Sequence, residues 1–219
     1  QKKKFISALL HLKKLTTTNA NDINAHISMG KIYNKLGNFK LAIDVVNPII
    51  SRNPDNIQAR EILAEIFYNT GDLDRSIAEY RRILEKNSNY LPSYIQLGWI
   101  YYRKGEFQMA TAWTKRGLKL GTPSLQLDSL SSMNLGLYSW LNNDYVAAKK
   151  WYRKALQGGS KNILNGILKD LKETALLFPK KTAVDFFSGW IYMETGEKKM
   201  ALPHLTQFLT LATENELSK

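Results

Sequence analysis

The residues of this chain that could carry chemistry are few and scattered. Three histidines, His11, His26 and His204, stand far apart, and none has a second ligand at the spacing by which a helix holds a metal. Asp72-Leu73-Asp74 starts like a loop of oxygen ligands, but nothing after it supplies the rest. Gly158-Gly159-Ser160-Lys161 has the composition of a phosphate loop without its spacing or a preceding strand, and reads as a helix end. There is no cysteine, which excludes a thiol nucleophile, a thiolate zinc site and a disulfide framework together. No arrangement of serine, histidine and acid suggests a nucleophilic triad. The reading is of a non-enzymatic protein with no catalytic residue, no cofactor and no metal.

Binding is a different matter. Lysine and arginine total 31 against 19 acidic residues, a net charge of +12 that answers either to an anionic partner or to a solvated surface. With 219 residues, 44% of them hydrophobic, the chain can bury a core and is not a disordered polymer. No apolar run approaches the ~18 residues that a membrane-spanning helix requires, so no transmembrane segment is expected. Gln1-Lys2-Lys3-Lys4 turns amphipathic at once, unlike a signal peptide. A start at Gln predicts a piece of a longer chain, with any targeting segment upstream, and leaves cytoplasm and periplasm both open.

The elements that must position any binding residue announce themselves by repetition. Gly37-Asn38-Phe39, Gly71-Asp72-Leu73 and Gly105-Glu106-Phe107 recur at an interval of 34 residues. Tyr33, Phe67 and Tyr101 keep that interval, as do Ala42, Ser76 and Ala110. Apolar residues three and four apart precede each glycine turn and follow it, which predicts a helical hairpin per repeat. Small residues at the eighth and twentieth positions would let the two helices approach closely.

In these residues the chain resembles the tetratricopeptide repeat family. Leu63, Ala64, Phe67, Gly71, Ser76, Tyr80 and Ile83 carry the match in one repeat, and Tyr94, Leu97, Gly98, Tyr101, Gly105, Ala110 and Gly117 in the next. In frame, the repeats are 23–56, 57–90, 91–124, 129–162 and 182–215, with 1–22 as a half repeat. Residues 163–181 fall outside the frame, and Leu164, Leu168, Leu171, Ala175 and Phe178 predict an inserted amphipathic helix near 163–178. Pro48 and Pro203 lie within second helices and should bend them. The resemblance implies an all-α, right-handed solenoid over 1–219 and a protein-protein interaction adaptor or scaffold.

It also implies a concave groove, lined by positions 5, 9 and 12 of each first helix. Position 9 reads Lys31, Glu65, Trp99, Leu137 and Trp190; position 12 reads Asn34, Tyr68, Tyr102, Trp140 and Met193; position 5 reads Ile27, Glu61, Ile95, Met133 and Phe186. The expected groove is therefore polar at first and aromatic later, with Tyr68, Trp99, Tyr102, Met133, Leu137, Trp140 and Trp190 as anchors for a partner peptide or helix. Lys31, Glu61, Glu65 and Arg103 would set direction and specificity. The competing arrangement has the inserted helix filling the groove. A clamp for chaperone tails is not expected, because Ile27, Ile62, Pro92 and Gln96 occupy its places and only Lys31 fits.

Second helices carry basic pairs at one shared place: Lys13-Lys14, Arg81-Arg82, Lys115-Arg116 and Arg153-Lys154. These predict an interrupted basic ridge on the convex side. The alternative function follows from it: an assembly or docking module of a longer membrane-, envelope- or nucleic-acid-associated protein, meeting an acidic protein or an anionic surface. No specific nucleic-acid partner is predicted, since basic and aromatic residues are not interleaved as such modules require. Self-association through the terminal helices is a third possibility, and the oligomeric state is left open.

Overall fold

The computed structural model describes residues 2–121, 125–157, 161–178 and 184–217. Among the described residues there are twelve α-helices and no strands. The helices are α1 (Lys2–Thr18), α2 (Ile23–Lys35), α3 (Phe39–Arg52), α4 (Ile57–Asn69), α5 (Leu73–Lys86) and α6 (Leu91–Arg103). They continue with α7 (Phe107–Lys119), α8 (Leu125–Leu141), α9 (Tyr145–Leu156), α10 (Lys161–Leu177), α11 (Val184–Glu194) and α12 (Lys198–Leu217). They gather into two compact units, Gln1–Lys104 and Gly105–Lys219. The chain is an all-α helical repeat protein of the solenoid class.

The turn inside each hairpin has a single conformational demand. Gly37, Gly71, Gly105 and Gly196 hold φ between 75° and 83°, the left-handed region that a Cβ disfavours. In the repeat 129–162 that place falls to Asn143, with φ 62°, the side chain that tolerates the region best after glycine. At two of these turns a side-chain oxygen then starts the next helix: Asp72 accepts from the Arg75 N–H and Asp144 from the Ala147 N–H. Between repeats, Asp22 and Asn56 do the same for α2 and α4.

Close approach of the helices explains the small residues. Ala42, Ser76, Ala110 and Ala148 are wholly buried, and the Ser76 hydroxyl donates across the seam to the Ala64 carbonyl at 2.8 Å. A Cβ added to Gly136 would stand 2.5 Å from the Tyr152 ring, and one added to Gly189 2.6 Å from Leu205 Cγ. The N-terminal unit centres on Val46, Ile62 and Ile66, joined by Leu9 of the half-repeat helix α1. Helices α3 and α12 both continue through their prolines, Pro48 and Pro203, so one lost backbone bond ends neither.

In the C-terminal unit the inserted helix is α10. It passes from Met133, whose sulfur faces Gly166, to the start of α7, where the Phe178 and Phe107 rings meet edge to face at 5.1 Å. Ile167, Leu171 and Thr174 are its fully buried residues, one step round the helix from much of the stripe expected. Leu164, Leu168, Ala175 and Phe178 are half-buried instead.

Candidate interaction face

Helical geometry decides which of the three expected columns reaches solvent. At about 100° per residue, positions 5 and 12 lie only about 60° and 40° from the small core residue at position 8. They therefore share its inward side. Ile27 and Ile95 at position 5 are buried, and so are Asn34 and Tyr102 at position 12, whereas Glu61 and Tyr68 in the same columns are half-exposed and Met193 is exposed. Position 9 is turned a further step out: Lys31 and Glu65 are exposed, and Trp99 and Trp190 half-exposed.

On the N-terminal unit these residues make one connected polar and aromatic surface. Trp99 Nε1 donates to Tyr68 Oη at 2.8 Å, joining α6 to α4, and the Trp99 ring leans on Tyr102 with centroids 4.8 Å apart. The Arg103 guanidinium lies 5.8 Å from the Tyr68 ring centre. On α2, Asn34 Nδ2 donates to Glu65 Oε2 at 3.0 Å, and its oxygen accepts from Asn69 Nδ2 at 3.0 Å. Tyr90 Oη donates to Glu61 Oε1 at 2.8 Å. Crowding that strips water from the carboxyl, and then the neighbouring charge of Glu61, raise the Glu65 pKa above the ordinary carboxylate value. The residue as a whole is nonetheless open to solvent. Burial first, then the same two carboxylates, push the Tyr80 phenol far above its usual range. A cavity of about 250 Å³ opens here between Asn34, Glu65, Tyr68, Tyr80 and Gln96.

The C-terminal unit does not present the groove expected of it. Met133, Leu137 and Trp140 are 8%, 1% and 1% exposed, so they offer no surface to a partner. Two helices cover them. α10 lies over Met133, and α11 sends Phe187, itself fully buried, to within 6.0 Å of both the Trp140 and Tyr152 rings. Tyr102 is likewise buried, at 2%, and supports Trp99 instead of standing free. Trp190 remains half-exposed, flanked by Lys149 and Arg153 of α9 at 5.9 and 5.6 Å from its ring. Phe187 was not singled out by sequence; it stands at position 6, beside the column used, and only its aromatic type marked it.

The basic pairs are exposed, but much of their charge is already answered. Arg153 holds Glu194 through two bonds at 2.6 and 2.8 Å, which raises the arginine pKa and lowers that of the acid. Lys154 pairs with Asp128 at 3.1 Å, Arg82 with Glu79, and Arg81 donates to Tyr101 Oη at 2.8 Å. Arg116 rests on the Trp113 ring at 5.1 Å. Lys13-Lys14 and Lys115-Arg116 are the pairs that form no ion pair among the described residues.

No group of three or more histidine, aspartate or glutamate side chains suited to a metal occurs among the described residues. The His26 ring meets the Asp22 carbonyl of its own helix start, and His204 meets Asp185 and stacks on Tyr192. No described helix is long and apolar enough to cross a membrane.

Family comparison agrees with this architecture. Tetratricopeptide repeat models match residues 28–92 and 91–120, so that stretch of the chain carries tetratricopeptide repeats. No curated protein matches it in sequence. Among solved structures, a crystal structure of MamA superposes with a TM-score of 0.60 at 21% identity, covering 74% of this chain and 92% of its own. MamA from Desulfovibrio magneticus RS-1 gives a TM-score of 0.58 at 16% identity, covering 70% and 84%. A tetratricopeptide repeat protein from Parabacteroides merdae gives 0.59 at 15% identity, covering 95% and 74%. At these identities the likeness is one of fold. Repeats of this family form protein-protein interaction scaffolds, and that is the general class of this chain.

Proposed function

We propose that the chain is a non-enzymatic adaptor that binds a peptide or helix of a partner protein on the exposed face of its N-terminal unit. Lys31, Glu61, Glu65, Tyr68, Trp99 and Arg103 form that face. The observation that carries the reading is the Tyr68–Trp99 pair. Two large aromatic side chains are half-exposed, locked by their mutual hydrogen bond at 2.8 Å, beside an open cavity. Rigid aromatic area that loses little freedom on binding is what interface anchors require. Met133, Leu137 and Trp140 drop out of the binding set because the chain covers them itself, and Trp190 keeps a lesser place beside α9.

A second reading rests on Lys115 and Arg116 of α7, which stay exposed and form no ion pair among the described residues. They would dock an acidic protein or anionic surface. Capture of partners on immobilised protein, identified by mass spectrometry, separates the two. Under the first reading Tyr68→Ala with Trp99→Ala abolishes capture, while Lys115→Glu with Arg116→Glu leaves it intact. If charge reversal alone removes capture, and capture falls steeply with salt, the aromatic face is not the binding site.

A further inference from the structure

The carboxylates of the N-terminal face are in an unusual position for so basic a chain. Glu61 and Glu65 stand one turn apart on α4, where like charges repel. Glu61 accepts from Tyr90 Oη and Glu65 from Asn34 Nδ2, both neutral donors, and neither carboxylate forms an ion pair among the described residues. This is in a chain of net charge +12. Lys31 and Lys35 of α2 attract Glu65, but their pull is smaller than the opposing effects of crowding and of Glu61. Beside Glu65 is Tyr68, whose hydroxyl accepts from Trp99, and between Glu65, Tyr68, Tyr80 and Lys35 lies the cavity of about 250 Å³. The chain already rests one cation on this wall, since Arg103 lies over Tyr68.

We propose that this face is the seat of one basic side chain of the partner, a lysine or arginine, with its charge between Glu61 and Glu65 and its aliphatic stem along Tyr68 and Trp99. This rests on the reading that the N-terminal unit binds a protein segment here, and names the chemistry that the segment must carry. Three features select a side chain of this kind. Two carboxylates hold neutral hydrogen-bond partners and form no ion pair among the described residues, with Lys31 and Lys35 only partly offsetting them; aromatic faces attract a cation through their quadrupole, and a long apolar stem covers ring area that a bare ion leaves wet. Glutamine or leucine at the same place would leave the carboxylate pair uncompensated.

Binding is then linked to pH. A cation favours the ionised form of Glu65, so affinity rises as pH climbs from the ordinary carboxylate range through the raised value of this group. The other charged or titratable groups around it are Lys31 and Lys35 on α2, Glu61 on α4, Tyr80 on α5, and Tyr90 and Arg103 at the two ends of α6.

The test uses the full chain and four blocked tripeptides, with lysine, arginine, norleucine or glutamate between two alanines. The readout is the Trp99 indole N–H resonance, identified by its loss in Trp99→Phe. Lysine and arginine peptides should shift it at millimolar concentration, with norleucine and glutamate at least about tenfold weaker. Glu61→Gln with Glu65→Gln should reduce lysine affinity about tenfold while far-UV circular dichroism stays unchanged. An equal response to norleucine overturns the basic seat but leaves an apolar peptide face standing. A lysine response retained in the double glutamine variant overturns it as well. If no tripeptide moves the resonance the basic seat also falls, and the capture experiment with Tyr68→Ala and Trp99→Ala judges the broader reading by itself.

Discussion

Replacing a helical glycine by alanine ordinarily strengthens a helix, and in the C-terminal unit two such glycines should respond with opposite sign. A Cβ at Gly136 would lie 2.5, 2.6 and 2.8 Å from three carbons of the Tyr152 ring. Carbon contacts are comfortable at about 3.5–4.0 Å, so the overlap is roughly 1 Å. The ring is 1% exposed and backed by Phe187 at 6.0 Å, leaving it no room to withdraw. Overpacking of this kind costs about 1–3 kcal/mol, against about 1 kcal/mol gained in helix propensity. Three contacts this short put the cost in the upper part of that range, about 2–3 kcal/mol, so Gly136→Ala should destabilise by about 1–2 kcal/mol net. At Gly166 in α10 the added Cβ meets only Met133, 3.2 Å from Sδ and 3.8 Å from Cε. A thioether chain can yield, so propensity wins and Gly166→Ala should stabilise by about 0.5–1 kcal/mol. Urea titrations followed by circular dichroism and tryptophan fluorescence read both shifts. Adding Tyr152→Leu to Gly136→Ala should relieve the overlap, so that the pair costs less than the two separate losses added together. Gly136→Ala as stable as wild type would refute the claim that the α8–α9 seam is a rigid contact. A loss above about 1 kcal/mol at Gly166 would show that the α10–α8 seam has no such tolerance.

Leu171 is fully buried in α10, so Leu171→Ala should cost about 2–5 kcal/mol, read as a lower urea midpoint. Glu79, 5% exposed, joins Arg60 at 2.6 Å and also Arg82; Glu79→Ala strands Arg60 and should cost about 3–5 kcal/mol, checked by thermal unfolding. Burial, then the charge of Glu173, push the Asp170 carboxyl up to about 6. The folded state thus binds more protons than the unfolded one between pH of about 4 and 6, and stability falls as pH rises through that window. Asp170→Asn should flatten this slope and gain about 1 kcal/mol at pH 7, after allowance for the group's partial exposure.

The hairpins were legible because local demands leave marks in sequence. A left-handed turn residue calls for Gly37, Gly71, Gly105 and Gly196, and a close seam calls for Ala42, Ser76 and Ala110. Asn143 met the same turn demand with a different residue. Helix α8 starts at Leu125, so it takes in the four residues between the repeats 91–124 and 129–162. What the helix rotation does with positions 5 and 12 was harder to read, since an apolar side chain there looks the same whether it lines a groove or a core. Trp140 has the residue type of an anchor, but its environment comes from Phe187, at position 6 of the repeat beyond the inserted helix that interrupts the period. Glu61 and Glu65 were legible as a polar stretch of the face, whereas their neutral hydrogen-bond partners come from other helices, at Tyr90 and Asn34.

The placement of α10 also has a consequence for how the chain folds. In a plain array each hairpin needs only its neighbour, and structure can spread from any starting point. The N-terminal unit follows that plan. In the C-terminal unit, Gly166 must return to Met133, and Phe187 to Trp140 past all of α9 and α10. Such closures pay loop entropy before contacts form, which slows the search. Hydrogen exchange should accordingly find graded protection in the first unit, and in the second a single late-forming block that opens all at once.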